Sequence, residues 1–316
     1  MVRIVCMFCI LVGSTLFTVC SNPPDYSTEI GKKMFPRTGI RNGKFTVTEI
    51  DPAVLKITGG KDVHVFEYTV MLTPNVLSKG YLFESVQPEI PDRTRILFGH
   101  WLGGTQNIDS SEREFFPEAV RYAEQGHMCV IPSGTFPWMT APTGTEEDVQ
   151  LTIQQVAEYR AALDLLLSRH GSTNQRVLFI GHDYGAMFGI LTAAADTRIG
   201  AMVVMAPVSR FWVWNRIIQP IRGKEEMDQY QRSLAPYDPV SLIGALDIPI
   251  LFQYARRDQY VDEKDALELI DAAKRSEQTV HWYGGSHSLN RHEPATLDRN
   301  EWIQSLLEEW ESNTIR

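Results

Sequence analysis

The feature that most constrains the fold is a turn flanked by two glycines, Gly181 and Gly185, with Asp183 between them. An apolar run at 176–180 precedes the turn and a run of small residues at 186–195 follows it, so the pattern predicts a strand, a sharp bend and a helix. The glycines let the residue at the bend adopt a strained backbone conformation and let the helix pack close to the strand. An ordinary Asp is ionised at neutral pH, so the sequence predicts a carboxylate at this bend.

Strand-like and helical segments alternate along most of the chain. The strand-like segments are 44–50, 64–72, 94–98, 128–131, 176–180, 201–205, 248–254 and 279–283. The segments with helical periodicity are 110–125, 146–170, 186–195, 263–275 and 298–312. Alternation of this kind predicts an α/β fold, in which a mostly parallel sheet is covered by helices on both faces.

One segment, 207–243, interrupts the alternation. It has no strand pattern and is too long for a plain connection. We therefore predict a small helical cap over the carboxyl ends of the strands, where sheets of this type bind ligands. Four aromatic residues of the cap are candidate contacts for a substrate: Trp212, Trp214, Tyr230 and Tyr237.

The first 21 residues differ from the rest of the chain. A positive start, an apolar run at 4–19 and a polar exit are typical of a secretory signal, so we predict an exported protein, secreted, periplasmic or held at the envelope. An uncleaved anchor, or a lipid on Cys20, remains an alternative. The segment 22–43, rich in Pro, Gly and polar residues, is predicted to be a lead-in to a folded domain over 44–316.

The net charge and the cysteine content limit which binding partners and cross-links are expected. A net charge of −9 argues against nucleic acid, whose phosphates require a basic surface. Only Cys129 follows the predicted signal and lead-in, so no internal disulfide is expected. The spacing of the histidines fits no metal-ligand pattern, and we expect neither a metal nor an organic cofactor. The expected partner is a small molecule, with membrane contact only through the N-terminal segment.

Three residues suited to catalysis follow the ends of separate predicted strands, in the order Asp183, Asp258, His287. A nucleophile, then an acid, then a histidine is the order found in the α/β-hydrolase superfamily, which the chain resembles from about residue 44 onward. The elbow around Asp183 looks like that of haloalkane dehalogenases and epoxide hydrolases. The short cap and the spacing of Asp258 and His287 are more similar to the dienelactone-hydrolase type.

The resemblance implies a role for each site residue. Asp183 would be the nucleophile, His287 the general base and Asp258 the acid that orients His287. The oxyanion hole would consist of the backbone N–H group of Tyr184 and that of Leu102 or Trp101, which follow the strand at 95–98.

The predicted class of substrate follows from the ionised state of Asp183. A carboxylate can attack an alkyl carbon that carries a halide or an epoxide oxygen, and water activated by His287 then cleaves the resulting ester. We therefore expect a hydrolase of small, mostly apolar carbon–halogen or epoxide compounds. Two alternatives stay open: a carboxylesterase or lactonase of dienelactone-hydrolase type, and a hydrolase-fold binding protein without activity.

Overall fold

The computed structural model describes residues 15–17, 25–36, 44–57, 60, 62–87, 94–102, 113–169 and 176–314. Its strands are β1 (Thr15–Phe17), β2 (Phe45–Ile50), β3 (Val63–Thr73), β4 (Val76–Ser85), β5 (Arg95–Gly99), β6 (Met128–Pro132), β7 (Val177–His182), β8 (Ile199–Met205), β9 (Ile250–Ala255) and β10 (Gln278–Tyr283). Its helices are α1 (Glu29–Met34), α2 (Phe116–Glu124), α3 (Glu147–Ser168), α4 (Tyr184–Ala195), α5 (Phe211–Ile218), α6 (Lys224–Leu234), α7 (Pro239–Leu242), α8 (Glu263–Ala272) and α9 (Glu293–Thr314).

The described strands form one ten-stranded sheet, in the order β1, β2, β3, β4, β6, β5, β7, β8, β9, β10. The first four pair antiparallel to one another, and β4 is antiparallel to β6. From β6 to β10 every neighbouring pair is parallel. The predicted α/β architecture is therefore confirmed. Because the strands of the second group are parallel, the residues that follow their carboxyl ends meet at one edge of the sheet.

The centre of the sheet is buried. Every residue of β5, β7 and β9 is buried, as expected for strands covered on both faces. Helix α4 is buried along its whole length, which its run of Ala, Met, Phe, Ile and Leu permits. The Asp183 turn thus lies between β7 and α4, two elements in which every residue is buried.

The segment between β8 and β9 folds as helices α5, α6 and α7, so the structure contains helices where the sequence predicted a cap. A chain of buried hydrogen bonds ties these helices to the body of the protein. The Tyr184 hydroxyl donates to Asn215 of α5 at 2.8 Å, and the Asn215 amide donates to the Tyr230 hydroxyl of α6 at 2.7 Å. The Tyr230 hydroxyl in turn donates to Asp148 of α3 at 2.5 Å.

Besides β1, the described strand β4 and helix α1 were not among the predicted elements. Strand β4 extends the antiparallel part of the sheet by pairing with β3 across a tight turn. Helix α1 lies inside the predicted lead-in and packs against α4. A Cβ added at Gly31 would lie 2.0 Å from the carbonyl oxygen of Ala195, so this close approach requires glycine. The part of the lead-in that is described is therefore a docked helix.

Most of the predicted signal lies outside the described residues. Its described part, β1, pairs with β2 at the edge of the sheet. Export and N-terminal anchoring accordingly stay predictions from the sequence. Among the described residues, no helix combines the length and apolar character that crossing a membrane requires.

Candidate active site

Asp183 occupies the bend between β7 and α4 in a strained backbone conformation, with φ 58° and ψ −128°. The glycines on either side are required sterically. A Cβ at Gly181 would lie 2.7 Å from the Cα atom of Ala186, and a Cβ at Gly185 would lie 2.0 Å from the carbonyl oxygen of Gly99. The predicted strand, bend and helix are confirmed.

Two backbone N–H groups donate to the Asp183 carboxylate. Tyr184 N donates to Oδ1 at 2.6 Å and Leu102 N donates to Oδ2 at 3.2 Å. Both are the donors predicted for an oxyanion hole. The Trp101 N–H, named as the alternative to Leu102, donates instead to Glu114 Oε2 at 2.7 Å. The anion also lies at the N-terminus of α4, where the helix dipole favours negative charge.

His287 and Asp258 reach the same place from two other strands. His287 Nδ1 lies 2.8 Å from Asp258 Oδ2, and the other Asp258 oxygen accepts the N–H groups of Tyr260 and Val261 at 2.8 and 3.1 Å. These bonds fix the carboxylate behind the imidazole. On the opposite side, His287 Nε2 lies 3.9 Å from Asp183 Oδ2, within ion-pair range. The structure thus brings the three predicted residues together, and their catalytic roles stay predictions.

The two carboxylates determine the charge of His287. Burial lowers the pKa of this imidazole, but hydrogen bonding and attraction to Asp183 and Asp258 outweigh burial and raise the pKa to about 10. For Asp258 burial raises the pKa, and its contact with His287 more than offsets this, so the pKa of that carboxyl is lowered. At neutral pH the site therefore holds an imidazolium between two carboxylates.

A second acid–histidine pair lies directly behind this site. His182 Nδ1 is 2.5 Å from Glu114 Oε1, and His182 Nε2 is 3.0 Å from the backbone carbonyl oxygen of His287. Both side chains of the pair are fully buried. The Trp101 ring stacks on the His182 ring, with centroids 5.4 Å apart and planes 13° apart.

The Asp183 carboxylate and the His287 ring face a cleft of about 640 Å³, a size that suits a small ligand. Its described lining is mixed. The apolar and aromatic members are Trp101, Leu102, Tyr184, Trp214, Ile217, Ile218 and Tyr260. The polar members besides Asp183 and His287 are Arg257, Gln259, Ser286 and Ser288.

Of the four predicted substrate contacts, only Trp214 is among the described residues that line this cleft. Trp212 lies in a separate depression beside Arg232. Tyr230 is buried in the hydrogen-bond chain that ties down the cap, and the Tyr237 ring packs edge-on against Phe35. These three side chains lie outside the described lining of the cleft, and aromatic content alone does not show which face of a helix points toward it.

Sequence reasoning also missed residues that shape the site. Ile217 and Ile218 line the cleft although 58% and 37% exposed. The spacing of Trp214, Ile217 and Ile218 at helix positions i, i+3 and i+4 was a signal that they share a face. Glu114 gave no such signal, since it becomes part of the site only through contacts with residues far along the chain.

No group of three or more His, Cys, Asp or Glu side chains within the described ranges is arranged to hold a metal ion.

No protein-family profile matches the chain, and no curated protein matches it. Solved structures do. Acetyl xylan esterase 1 from Thermoanaerobacterium has a TM-score of 0.63 and 13% identity, covering 91% of this chain and 95% of that chain. An acetyl xylan esterase from a Paenibacillus species has a TM-score of 0.62 and 15% identity, covering 88% and 97%. A candidate dienelactone hydrolase from Klebsiella pneumoniae has a TM-score of 0.55 and 15% identity, covering 78% and 98%.

At these identities the likeness concerns the fold. The chain has the α/β-hydrolase fold, as its sequence predicted, and the structures it resembles include the dienelactone-hydrolase type.

Proposed function

We propose that this chain is a hydrolase that acts at Asp183, His287 and Asp258 on a small, mostly apolar substrate bound in the cleft. The observation that carries this proposal is the arrangement at the cleft floor. Two backbone donors hold the Asp183 carboxylate, and its Oδ2 lies 3.9 Å from an imidazole that Asp258 orients. A carboxylate that is held by two backbone donors beside an oriented imidazole, on a strained bend, favours catalysis over a role in packing.

The first candidate substrate is a carboxylic ester or a lactone. The solved structures of the same fold include proteins named as esterases and as a dienelactone hydrolase. The comparisons support this alternative better than the carbon–halogen or epoxide bond that the sequence led us to expect.

The charge of His287 suits an ester or lactone, because the alkoxide that leaves needs a proton. Asp183 Oδ2 would attack the acyl carbon and form a mixed anhydride, while the breaking C–O bond passes its electron pair to the leaving oxygen. That oxygen takes the proton from His287 Nε2 and departs as an alcohol. The protonated state of His287, with a pKa of about 10, therefore makes it an acid in the first step.

The second step uses the same imidazole as a base. Once Asp183 is acylated its negative charge is gone, so the pKa of His287 falls and the neutral ring can take a proton from water. The hydroxide attacks the Asp183 carbonyl carbon, and the N–H group of Tyr184, which donates to Oδ1, stabilises the oxyanion there. Two carboxylates re-form, one on Asp183 and one on the product. One proton stays on His287 and a second goes to solvent.

The second candidate is a carbon–halogen compound or an epoxide, and one contact favours it. Tyr184 N and Leu102 N both donate to Asp183 itself rather than pointing into the cleft. That is where charge develops when water attacks an alkyl ester of Asp183. Displacement of the halide, or opening of the epoxide with a proton from His287, would form this ester without an acyl transfer.

The test is turnover of ester, lactone, epoxide and haloalkane panels by the wild type, followed by intact-mass analysis of the His287→Gln variant with haloalkanes and with aryl esters, whose leaving groups depart without a proton from His287. We expect hydrolysis of at least one ester or lactone. Asp183→Asn and His287→Ala should each lower kcat by about 10³-fold or more, the scale for triad residues. An adduct on Asp183 with the acyl mass supports the ester mechanism, and one with the alkyl mass supports the second candidate.

Asp262→Asn is the matched control, since this exposed carboxylate caps α8 a few residues beyond Asp258. Its kcat should equal that of the wild type. If no panel compound is turned over and Asp183→Asn binds ligands as well as the wild type, the protein is a binding module instead.

A further inference from the structure

The His182 ring holds the backbone of the proposed catalytic histidine. Its Nε2 lies 3.0 Å from the carbonyl oxygen of His287, and a carbonyl oxygen can only accept a hydrogen bond. Nε2 must therefore carry a proton. This bond fixes the peptide of His287 independently of Asp258, which contacts only the other end of that residue, its imidazole.

Glu114 completes the pair. Its Oε1 lies 2.5 Å from His182 Nδ1, and two bare lone pairs at that distance would repel, so a proton lies in this contact as well. Its Oε2 accepts the N–H of Trp101 at 2.7 Å. The next residue is Leu102, whose N–H donates to Asp183. One carboxylate thus contacts both the histidine behind His287 and the peptide beside an oxyanion donor.

Three stacked rings reinforce these bonds. The Trp101 ring lies 5.4 Å from the His182 ring and 6.4 Å from the His287 ring, and the two histidine rings are 5.1 Å apart. The planes of all three are within 30° of one another. Because both side chains of the Glu114–His182 pair are fully buried, no water competes for these contacts.

We propose that Glu114 and His182 are positioning residues, which set the distance between the His287 ring, the Leu102 N–H group and the Asp183 carboxylate. This inference rests on the proposed function, since it assumes that His287 is catalytic. A buried acid–histidine pair could serve stability alone, and the two roles predict different kinetics. A pair that only stabilises affects how much protein is folded, whereas a positioning pair affects kcat of the folded enzyme.

The hydrogen bonds that Glu114 makes can be kept by a conservative substitution. In Glu114→Gln the amide oxygen can accept the Trp101 N–H, and the amide NH₂ group can donate to His182 Nδ1. His182 Nδ1 then accepts from the amide, and Nε2 still donates to His287. Glutamine therefore preserves every contact of the network and removes only the charge, whereas Glu114→Ala breaks two of the three.

The kinetic test compares Glu114→Ala and Glu114→Gln on the best substrate of the wild type. We expect Glu114→Ala to lower kcat by about 10- to 100-fold with little change in KM, because small displacements of reacting groups are costly. Glu114→Gln should stay within about threefold of the wild type, the scale of one modest hydrogen bond. Equal losses in the two variants, or a loss confined to KM, would overturn the proposal.

Asp164→Ala is the matched control. Asp164 is also a buried carboxylate in an ion pair, with Arg198, but it lies at the amino end of the strands, away from the cleft. Its loss should lower the melting temperature and leave kcat per folded molecule unchanged.

Side-chain ¹⁵N NMR of the wild type gives a readout that needs neither turnover nor a stable Glu114→Ala protein. We expect His182 to show a protonated Nε2 and a proton shared at Nδ1, and Glu114→Gln to convert Nδ1 alone to a bare nitrogen. A bare Nε2 in the wild type would contradict the proposed contact with His287. If the spectrum is as expected but the wild type turns over no substrate, the proposed function fails while this geometry stands.

Discussion

At the scale of single residues, the charge of His287 is the property with the clearest kinetic consequence. Most hydrolases with a serine nucleophile need a neutral histidine before the first step, because the hydroxyl must lose a proton. Asp183 needs no such base. Its carboxylate instead keeps His287 protonated, so the nucleophile and the imidazole begin with opposite charges.

This charge state predicts the pH profile. Because the pKa of His287 is raised to about 10, the imidazolium persists through neutral pH and is lost only as the pH rises through that value. For a neutral ester, kcat/KM should be flat through neutral pH and fall with a midpoint near pH 10. Initial rates across a pH series measure it.

The Asp183→Ser variant should show the opposite dependence of kcat/KM on pH. It removes the neighbouring negative charge, so the pKa of His287 falls, and serine requires the neutral ring, so kcat/KM should rise with pH. Asp262→Ser, at the exposed cap of α8, should keep the wild-type profile. A wild-type profile that already rises through neutral pH would contradict an Asp183 nucleophile.

At the scale of elements, the site depends on how closely α4 approaches β5. Gly185→Ala would place a Cβ 2.0 Å from the Gly99 carbonyl oxygen, and backbone atoms cannot rotate aside. We expect a loss of about 3 kcal/mol or more in the free energy of unfolding, measured by urea denaturation. Gly284→Ala is the control, since a Cβ there meets nothing within 4 Å and should change stability by less than about 0.5 kcal/mol. If Gly185→Ala and Gly284→Ala are equally stable, the backbone at Gly99 can move to accommodate the added Cβ.

The Tyr230 hydroxyl links α6 to both α5 and α3. Tyr230→Phe leaves the Asn215 amide and one Asp148 oxygen without their bonds to that hydroxyl in a buried environment. We expect a loss of about 1–3 kcal/mol in unfolding free energy. KM should rise, because α5 also carries Trp214 of the cleft. Thermal melts and initial rates measure the two effects.

Tyr237→Phe is the matched control for the cap, because the Tyr237 ring packs on Phe35 and no hydrogen bond of its hydroxyl occurs among the described residues. A Tyr230→Phe protein as stable as Tyr237→Phe would mean that the hydroxyl chain does not hold the cap.

At the scale of the whole molecule, a buried ionic network joins residues 27–35, which include α1, to the rest of the fold. Arg160 bonds Asp196, the Phe35 carbonyl and the Ser27 hydroxyl, and Arg198 also pairs with Asp196. The arginine and aspartate side chains are almost completely buried. This network connects the end of α1 to the C-terminal end of α4, which is the end opposite the Asp183 bend.

Asp196→Asn tests that network. Burial raises the pKa of Asp196, but Arg198 and Arg160 outweigh it, so the pKa is lowered. The stabilisation is therefore present above the ordinary pKa of Asp and is lost as the pH falls through the lowered value. We expect Asp196→Asn to cost about 3–5 kcal/mol at neutral pH, and the difference from the wild type to shrink in acid.

Urea unfolding at several pH values measures this effect. Asp247→Asn, which removes an exposed pair with Arg275, should cost less than about 1 kcal/mol at every pH. An Asp196→Asn effect no larger than that control would refute the proposed importance of the network.

The sequence by itself determined the α/β class, the bend at Asp183 and the order of Asp183, Asp258 and His287. These follow from local rules. Apolar periodicity identifies strands and helices, glycines permit the strained bend, and parallel strands bring the residues after their ends to one edge of the sheet.

Only the tertiary structure decided which side chains surround that edge. Tyr230 hydrogen-bonds to Asp148 and holds the cap, whereas Trp214 lines the cleft. The Trp101 N–H donates to Glu114, and His182 lies behind His287. The tertiary structure also raised the pKa of His287 by setting two carboxylates beside it. These outcomes depend on distances between residues far apart in the chain, which are set by packing and not by any local pattern.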